Sequence, residues 1–325
     1  MHYIILLLFF LVSFFETVAN ESDRYNLKTD NKIIYSVCYT NDGSELAVAD
    51  GKTISIFCGK DHKLLRQWDT VHKNIILSTD ISANDEIFLS AGRDSTVIIW
   101  DYQKGSVLDS VSFQAKIISL SVADNAAFFV CGLSDGTAYV YDLITNNILF
   151  SFSDHDKMVT TVDISPDGKL MLTGSGDKKI HLYNATSGKL LKTFDEHFSW
   201  VRSAIFTPDG YKVLSCGDDS SVLLRNFRNI EDVKMQYNKI HGTNWITTIF
   251  MLEDLKTIAF ANLGGLIRLV NNVVIYEYRS SFPVNLLKIR PNSGIKPVIA
   301  VASRGDGLFI LETNKMRTNQ FDANL

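Results

Sequence analysis

Cysteine and proline are scarce, and neither is arranged to build anything. The four cysteines, Cys38, Cys58, Cys131 and Cys216, form no CxxC pair and no His/Cys spacing suited to zinc, so no metal framework or disulfide scaffold is expected. Each lies in or beside an apolar strand-like run, where a free thiol behaves as a small hydrophobe. Five prolines and a 46% hydrophobic content exclude a disordered chain. No Lys/Arg-rich run occurs, and the net charge is −4, so the electrostatic term that drives phosphate-backbone binding is missing and nucleic acid is not an expected partner. GxSxG, HExxH, P-loop and dinucleotide fingerprints are absent, no cofactor is implied, and no enzyme is expected.

The one long apolar run, Ile4 to Phe15, is too short to span a bilayer, which needs about 20 residues. It matches the h-region of a secretory signal peptide over 1–19, with Thr17 and Ala19 at the cleavage positions. Met1-His2-Tyr3 carries no Lys or Arg, so a short anchor or a misassigned start stands beside it. The chain is thus read as exported, with a cytoplasmic protein as the alternative and no integral membrane segment in the mature chain. Asn20-Glu21-Ser22 and Asn184-Ala185-Thr186 are sequons, meaningful only on a eukaryotic secretory route.

Repeats organise the rest. Lys63-Leu64-Leu65-Arg66-Gln67-Trp68-Asp69 is echoed by Lys189-Leu190-Leu191-Lys192-Thr193-Phe194-Asp195. A polar turn, an alternating strand and a terminal aromatic recur with Trp100, Tyr141 and Tyr183 spaced by 41 and 42 residues. The series extends back to Phe57 and forward to Arg225, Val270 and Leu311, giving seven units. The unit with Tyr183 reads as strands Val159 to Ile164, Lys169 to Thr173, Ile180 to Tyr183 and Lys189 to Phe194, separated by turns. Four antiparallel strands per period make one blade, so residues 20–325 are expected to form an all-β, seven-bladed β-propeller. Tyr25 to Asp30 mimics Leu191-Lys192-Thr193 ahead of a first strand, which predicts that residues near 24–29 close the last blade as its outer strand and leaves the tail 314–325 as an appendage or a competitor.

At this point the sequence resembles the WD40 repeat family. The WD dipeptide is literal at Trp100-Asp101, conservative at Tyr141-Asp142 and degraded elsewhere; the GH signal survives as His72, His155, His197 and His241. Turn aspartates stand at Asp94, Asp135, Asp177 and Asp219, and SPDG-type turns at Asn41 to Gly43, Ser165 to Gly168 and Thr207 to Gly210. The resemblance implies a buried hydrogen-bonded network within blades: His72, Ser90, Asp94 and Trp100 form a full set, while His155, Thr173 and Asp177 and then His197, Ser215 and Asp219 depart at the aromatic position, Tyr183 and Arg225. Because the set recurs, mutual satisfaction explains it better than catalysis.

A rigid ring carries function in the loops at one end. The residues entering the innermost strands there include Met158, Trp200 and Trp245 on consecutive blades, with Phe282 near the seventh, Phe198 and Arg202 flanking Trp200, and Arg93 and Asp218 as a polar rim. Aromatics, Met and Arg are the usual interface anchors, so this arc is expected to bind a partner protein or peptide, the chain acting as a monomeric, non-catalytic scaffold within a complex. The alternative is that these side chains plug the channel or pack between blades. The runner-up is an exported propeller with enzymatic or small-ligand-binding activity at a channel mouth near Asp80 and Asp163; a third reading is a degenerate WD40 subunit of a cytoplasmic complex.

Overall fold

The computed structural model describes residues 24–29, 33–69, 72–227, 235–237, 244–271, 273–293 and 297–313. The signal-peptide segment, Asn20, His241 and the tail 314–325 lie outside the described residues. Among the described residues every regular element is a β-strand, and the strands form seven four-stranded antiparallel sheets. The chain is a seven-bladed β-propeller. Blade 1 runs from Ser36 to Trp68, blade 2 from Ile76 to Ser112, blade 3 from Ile117 to Phe152, blade 4 from Val159 to Phe194, blade 5 from Val201 to Tyr237 and blade 6 from Ile246 to Arg279. Blade 7 takes Val284–Ile289, Val298–Ser303 and Leu308–Glu312 from the end of the chain and Arg24–Asn26 from its start.

Burial explains why these segments are strands. The second and third strands of each blade are covered on both faces by neighbouring blades: Leu170–Ser175 and Ile180–Asn184 of blade 4 are almost wholly buried. The fourth strands of blades 2 and 3 are wet, Ser106–Ser112 being nearly all exposed, whereas that of blade 6 buries Tyr276, Glu277 and Tyr278. Such a radial gradient lets near-continuous apolar runs alternate with polar ones at the blade period. The first strands pack edge to edge around a central channel, and the ring closes where Val284–Ile289 meets Ser36–Tyr39.

The closing strand pairs Arg24 with Leu311, Tyr25 with Ile310 and Asn26 with Phe309, and the Leu27 N–H donates to the Leu308 carbonyl at 2.9 Å. Arg24 lies over the Phe309 ring at 4.2 Å and reaches Asp306 at 3.3 Å. In six blades the first strand carries a β-bulge after its first residue, for example between Val201 and Ser203. A bulge re-aims the extra residue; in blade 5 that residue is Arg202.

Candidate functional site

The His–Ser/Thr–Asp sets meet as hydrogen-bonded chains. His72 Nδ1 lies 2.9 Å from Asp94 and Nε2 2.9 Å from Ser90, whose hydroxyl accepts the Trp100 indole N–H at 2.9 Å. In blade 4, His155 spans Asp177 and Thr173 at 2.8 Å each, and Tyr183 turns its hydroxyl to Asp154. In blade 5, His197 spans Asp219 and Ser215 at 2.8 Å each. There Arg225 Nη1 donates to Ser215 at 2.6 Å, in the role of the indole. The likeness extends to packing: Trp100 stacks on Trp68 at 5.4 Å, and the Arg225 guanidinium lies 5.5 Å over Phe194, the corresponding residue of the previous blade. Burial pushes the Asp94, Asp177 and Asp219 carboxyls up, but the bonds from the His rings, hydroxyls and backbone N–H groups outweigh it and hold all three below the usual range.

The same carboxylates anchor the loops. The second proton accepted by Asp94 comes from the Lys73 N–H at 2.7 Å, by Asp177 from the Asp156 N–H at 3.2 Å, and by Asp219 from the Phe198 N–H at 2.9 Å. The residue after each His is thereby fixed at the rim.

The inner strands bring Ser and Thr side chains to the channel. Their hydroxyls accept backbone N–H groups from the first strand of the next blade: Ser36 from Thr79, Ser78 from Leu120, Ser119 from Val162, Thr161 from Ala204 and Thr248 from Leu287. Asp80 and Asp163 act likewise one step along, accepting from Val122 at 2.9 Å and Phe206 at 2.7 Å. These side chains are clasps between blades that also line a cavity of about 290 Å³. Burial pushes the Asp163 carboxyl up to about 7; the Phe206 N–H opposes that, the Asp80 charge adds to it and Lys288 opposes it. Each carboxylate accepts a backbone N–H from the next blade, which gives the pair a structural role.

At the end of the ring where the first strands begin, hereafter the top face, Arg202 sits between two indoles, 5.2 Å from the Trp200 ring centroid and 5.5 Å from Trp245. Its fork is bidentate on Asp218 at 2.6 and 2.7 Å, which locks the sandwich. Trp200 rests on Gly176, where a Cβ would come within 2.9 Å of the indole, and Lys157 approaches its ring at 5.8 Å. Trp200 and Met158 are half-buried, Trp245 is 47% exposed and Phe198 83% exposed. Arg93 is exposed over the Tyr35 ring, and Phe282 is exposed at blade 7. The sequence-predicted arc is thus split: Trp200 packs on blade 4 at Gly176 and Met158 is half-buried, while Phe198 and Trp245 face solvent.

One group was not foreseen from the sequence. His155, Asp177 and His181 bring ligand-type atoms within 4.8 Å of one another. Both nitrogens of His155 are taken by Asp177 and Thr173, and His181 Nδ1 by Thr193 at 2.9 Å, while the buried His181 Nε2 has no hydrogen-bond partner among the described residues. The thiols of Cys38, Cys131 and Cys216 are buried, and that of Cys58 is half-buried.

A ring of seven four-stranded blades stiffened by recurrent His–Ser/Thr–Asp chains defines a repeat propeller. The WD domain, G-beta repeat family matches residues 62–101, 146–184 and 188–226, so three WD40 repeats are recognised within the seven-bladed ring. It is 21% identical over 145 residues to U3 small nucleolar RNA-associated protein 21 of Saccharomyces cerevisiae, covering 45% of this chain and 15% of that protein. It is 23% identical over 141 residues to Autophagy-related protein 16 of Arabidopsis thaliana, covering 43% and 28%. With Intraflagellar transport protein 80 homolog of Mus musculus it shares 27% identity over 126 residues, covering 37% and 16%. The chain thus spans less than a third of each of these relatives.

Proposed function

We propose that this propeller is a non-catalytic interaction scaffold that binds a partner protein or peptide through the top-face loops of blades 4 to 6. The observation that carries the reading is the Trp200–Arg202–Trp245 sandwich, locked by Asp218 and flanked by a Phe198 that is 83% exposed. A prearranged aromatic and arginine cluster loses little conformational entropy on binding, and such residues dominate interface energetics. WD40 relatives named for autophagy, intraflagellar transport and nucleolar RNA association point the same way, toward a scaffold inside a larger assembly. Those names also fit the cytoplasmic alternative better than export.

The test is quantitative affinity purification from the native host with wild type, a Phe198→Ala/Trp245→Ala double variant, and Ile144→Ala, a control at an exposed turn between the third and fourth strands of blade 3. A partner set retained by the control and lost by the double variant is expected. The same set retained by the double variant sinks the top-face reading.

A further inference from the structure

On the top face of blades 2 to 4 exposed cations outnumber exposed carboxylates, although the net charge of the whole chain is −4. In the stretches running inward from the His positions to the first strands, and in the turns between second and third strands, blades 2 to 4 expose Lys73, Arg93, Lys116, Lys157 and Lys178. None of the five makes an ion pair among the described residues. Two exposed carboxylates, Asp135 and Asp156, share these stretches. The other acids there turn inward, Asp94 and Asp177 onto the His rings and Asp218 of blade 5 onto Arg202, while the exposed Asp154 just before His155 accepts the Tyr183 hydroxyl. Asp69 and Asp195 precede the loops, directly after the outermost strands of their blades.

The basic arc runs into the aromatic cluster without a break. Lys157 lies 5.8 Å over Trp200, which is 5.2 Å from Arg202, which in turn faces Trp245 at 5.5 Å. Backbone contacts hold the arc in place: the Lys73 N–H donates to Asp94, the Arg93 N–H to the Ile75 carbonyl, and the Ser134 N–H to the Lys116 carbonyl. Fixed positive charge over three blades followed by exposed aromatics over two is complementary to one kind of extended ligand.

We propose that the top face binds an acidic peptide, its carboxylates lying along Lys73, Arg93, Lys116, Lys157 and Lys178 of blades 2 to 4 and a following aromatic or long aliphatic residue seated on Phe198 and Trp245. The proposal rests on the scaffold reading above and adds the chemistry of the partner. A nucleic-acid strand fits less well, because its bases call for aromatics interleaved with the cations, whereas here the two are segregated. Charge complementarity of this kind sets specificity and association rate, while the aromatic contact sets residence time.

The experiment is selection of a random peptide library on the intact protein, followed by fluorescence polarisation of the selected peptides. Three proteins are compared: wild type, Lys73→Glu/Lys116→Glu/Lys157→Glu, and Trp245→Ala, each checked for an unchanged melting transition. Selected peptides enriched in Asp and Glu next to an aromatic are expected, with affinity falling about tenfold or more in the charge-reversed variant and weakening in high salt. Neutral or basic peptides that lose binding with Trp245→Ala but not with charge reversal overturn the acidic ligand and leave the scaffold face standing. An oligo-dT strand that binds tightly and displaces the peptides also overturns it. No peptide sensitive to either variant overturns both readings.

Discussion

Arg225 gives the sharpest test of how the blade network works, because a charged side chain occupies the place of an indole. Its Nη1 donates to Ser215 at 2.6 Å, its Nε to Glu196 at 2.9 Å, and its plane covers Phe194. Arg225→Ala removes a charged donor from a buried hydroxyl, worth about 1.5–3 kcal/mol, and a cation–π contact worth about 1 kcal/mol, so a loss of about 3–4 kcal/mol is expected. The pair with Glu196 adds little, since that side chain is 28% exposed and water replaces its partner. Arg225→Trp restores the Trp100 arrangement, with an indole N–H to Ser215 and a ring on Phe194, and is expected within about 1 kcal/mol of wild type. Equilibrium urea unfolding followed by circular dichroism reads both, with Glu196→Gln as the control for the ion pair. Equal destabilisation by the Ala and Trp variants, matched by Glu196→Gln, would refute the donor role and assign Arg225 to charge pairing instead.

Further expectations follow from the channel, the turns and the thiols. Asp163 titrates near 7 in the fold against an ordinary value of 3.8, so the unfolded chain loses its proton first and ionised Asp163 costs stability increasingly as pH rises from about 4 to 7. Asp163→Asn keeps an oxygen for the Phe206 N–H without the charge; it should be neutral at pH 4 and stabilising by on the order of 4 kcal/mol at pH 8, and chemical denaturation at both values showing no pH-dependent gain would refute this. The lowered Asp94, Asp177 and Asp219 act with the opposite sign, their contribution being complete above the ordinary carboxylate range and lost as pH falls below it, so acid unfolding should be cooperative. Leu255 holds φ +56° in a blade 6 turn where blades 1, 4 and 5 use Gly43, Gly168 and Gly210, so Leu255→Gly should raise stability by about 0.5–1 kcal/mol, and a lowered thermal midpoint would contradict it. In the native protein a thiol reagent should titrate at most Cys58, with the other three reacting only after denaturation; burial pushes the Cys38 thiol up to about 12.

The blade period was legible because each unit must bury the same middle strands, so the apolar runs ending at Trp100, Tyr141 and Tyr183 return at one spacing. The adjacency of Trp200 and Trp245 followed from the same arithmetic, since equivalent positions of consecutive blades are neighbours in a ring. Three things were not legible. The clasping role of the inner Ser and Thr residues was hidden because their partners are backbone N–H groups one blade later, and a backbone group leaves no mark in a sequence. Arg225 read as a lost aromatic because its substitution preserves geometry, donor and planar surface rather than residue class. The bulge between Val201 and Ser203 that turns Arg202 between the indoles depends on how the first strand meets the second, and nothing in Val201-Arg202-Ser203 announces it.

The network aspartates join stability to recognition. In blades 2, 4 and 5 one oxygen, Oδ2 of Asp94, Asp177 or Asp219, accepts both from its His ring and from the N–H of the next residue, which is Lys73, Asp156 or Phe198. The contact uses only the backbone of that residue, so the scaffold holds cation, anion or aromatic at the same place on the rim without regard to side chain. A ring built this way separates the interactions that determine its rigidity from those that determine its ligand. That separation is why the buried sets in blades 2 and 5 are nearly superposable in chemistry, whereas the surfaces they present, basic at Lys73 and aromatic at Phe198, differ as completely as two surfaces on one fold can.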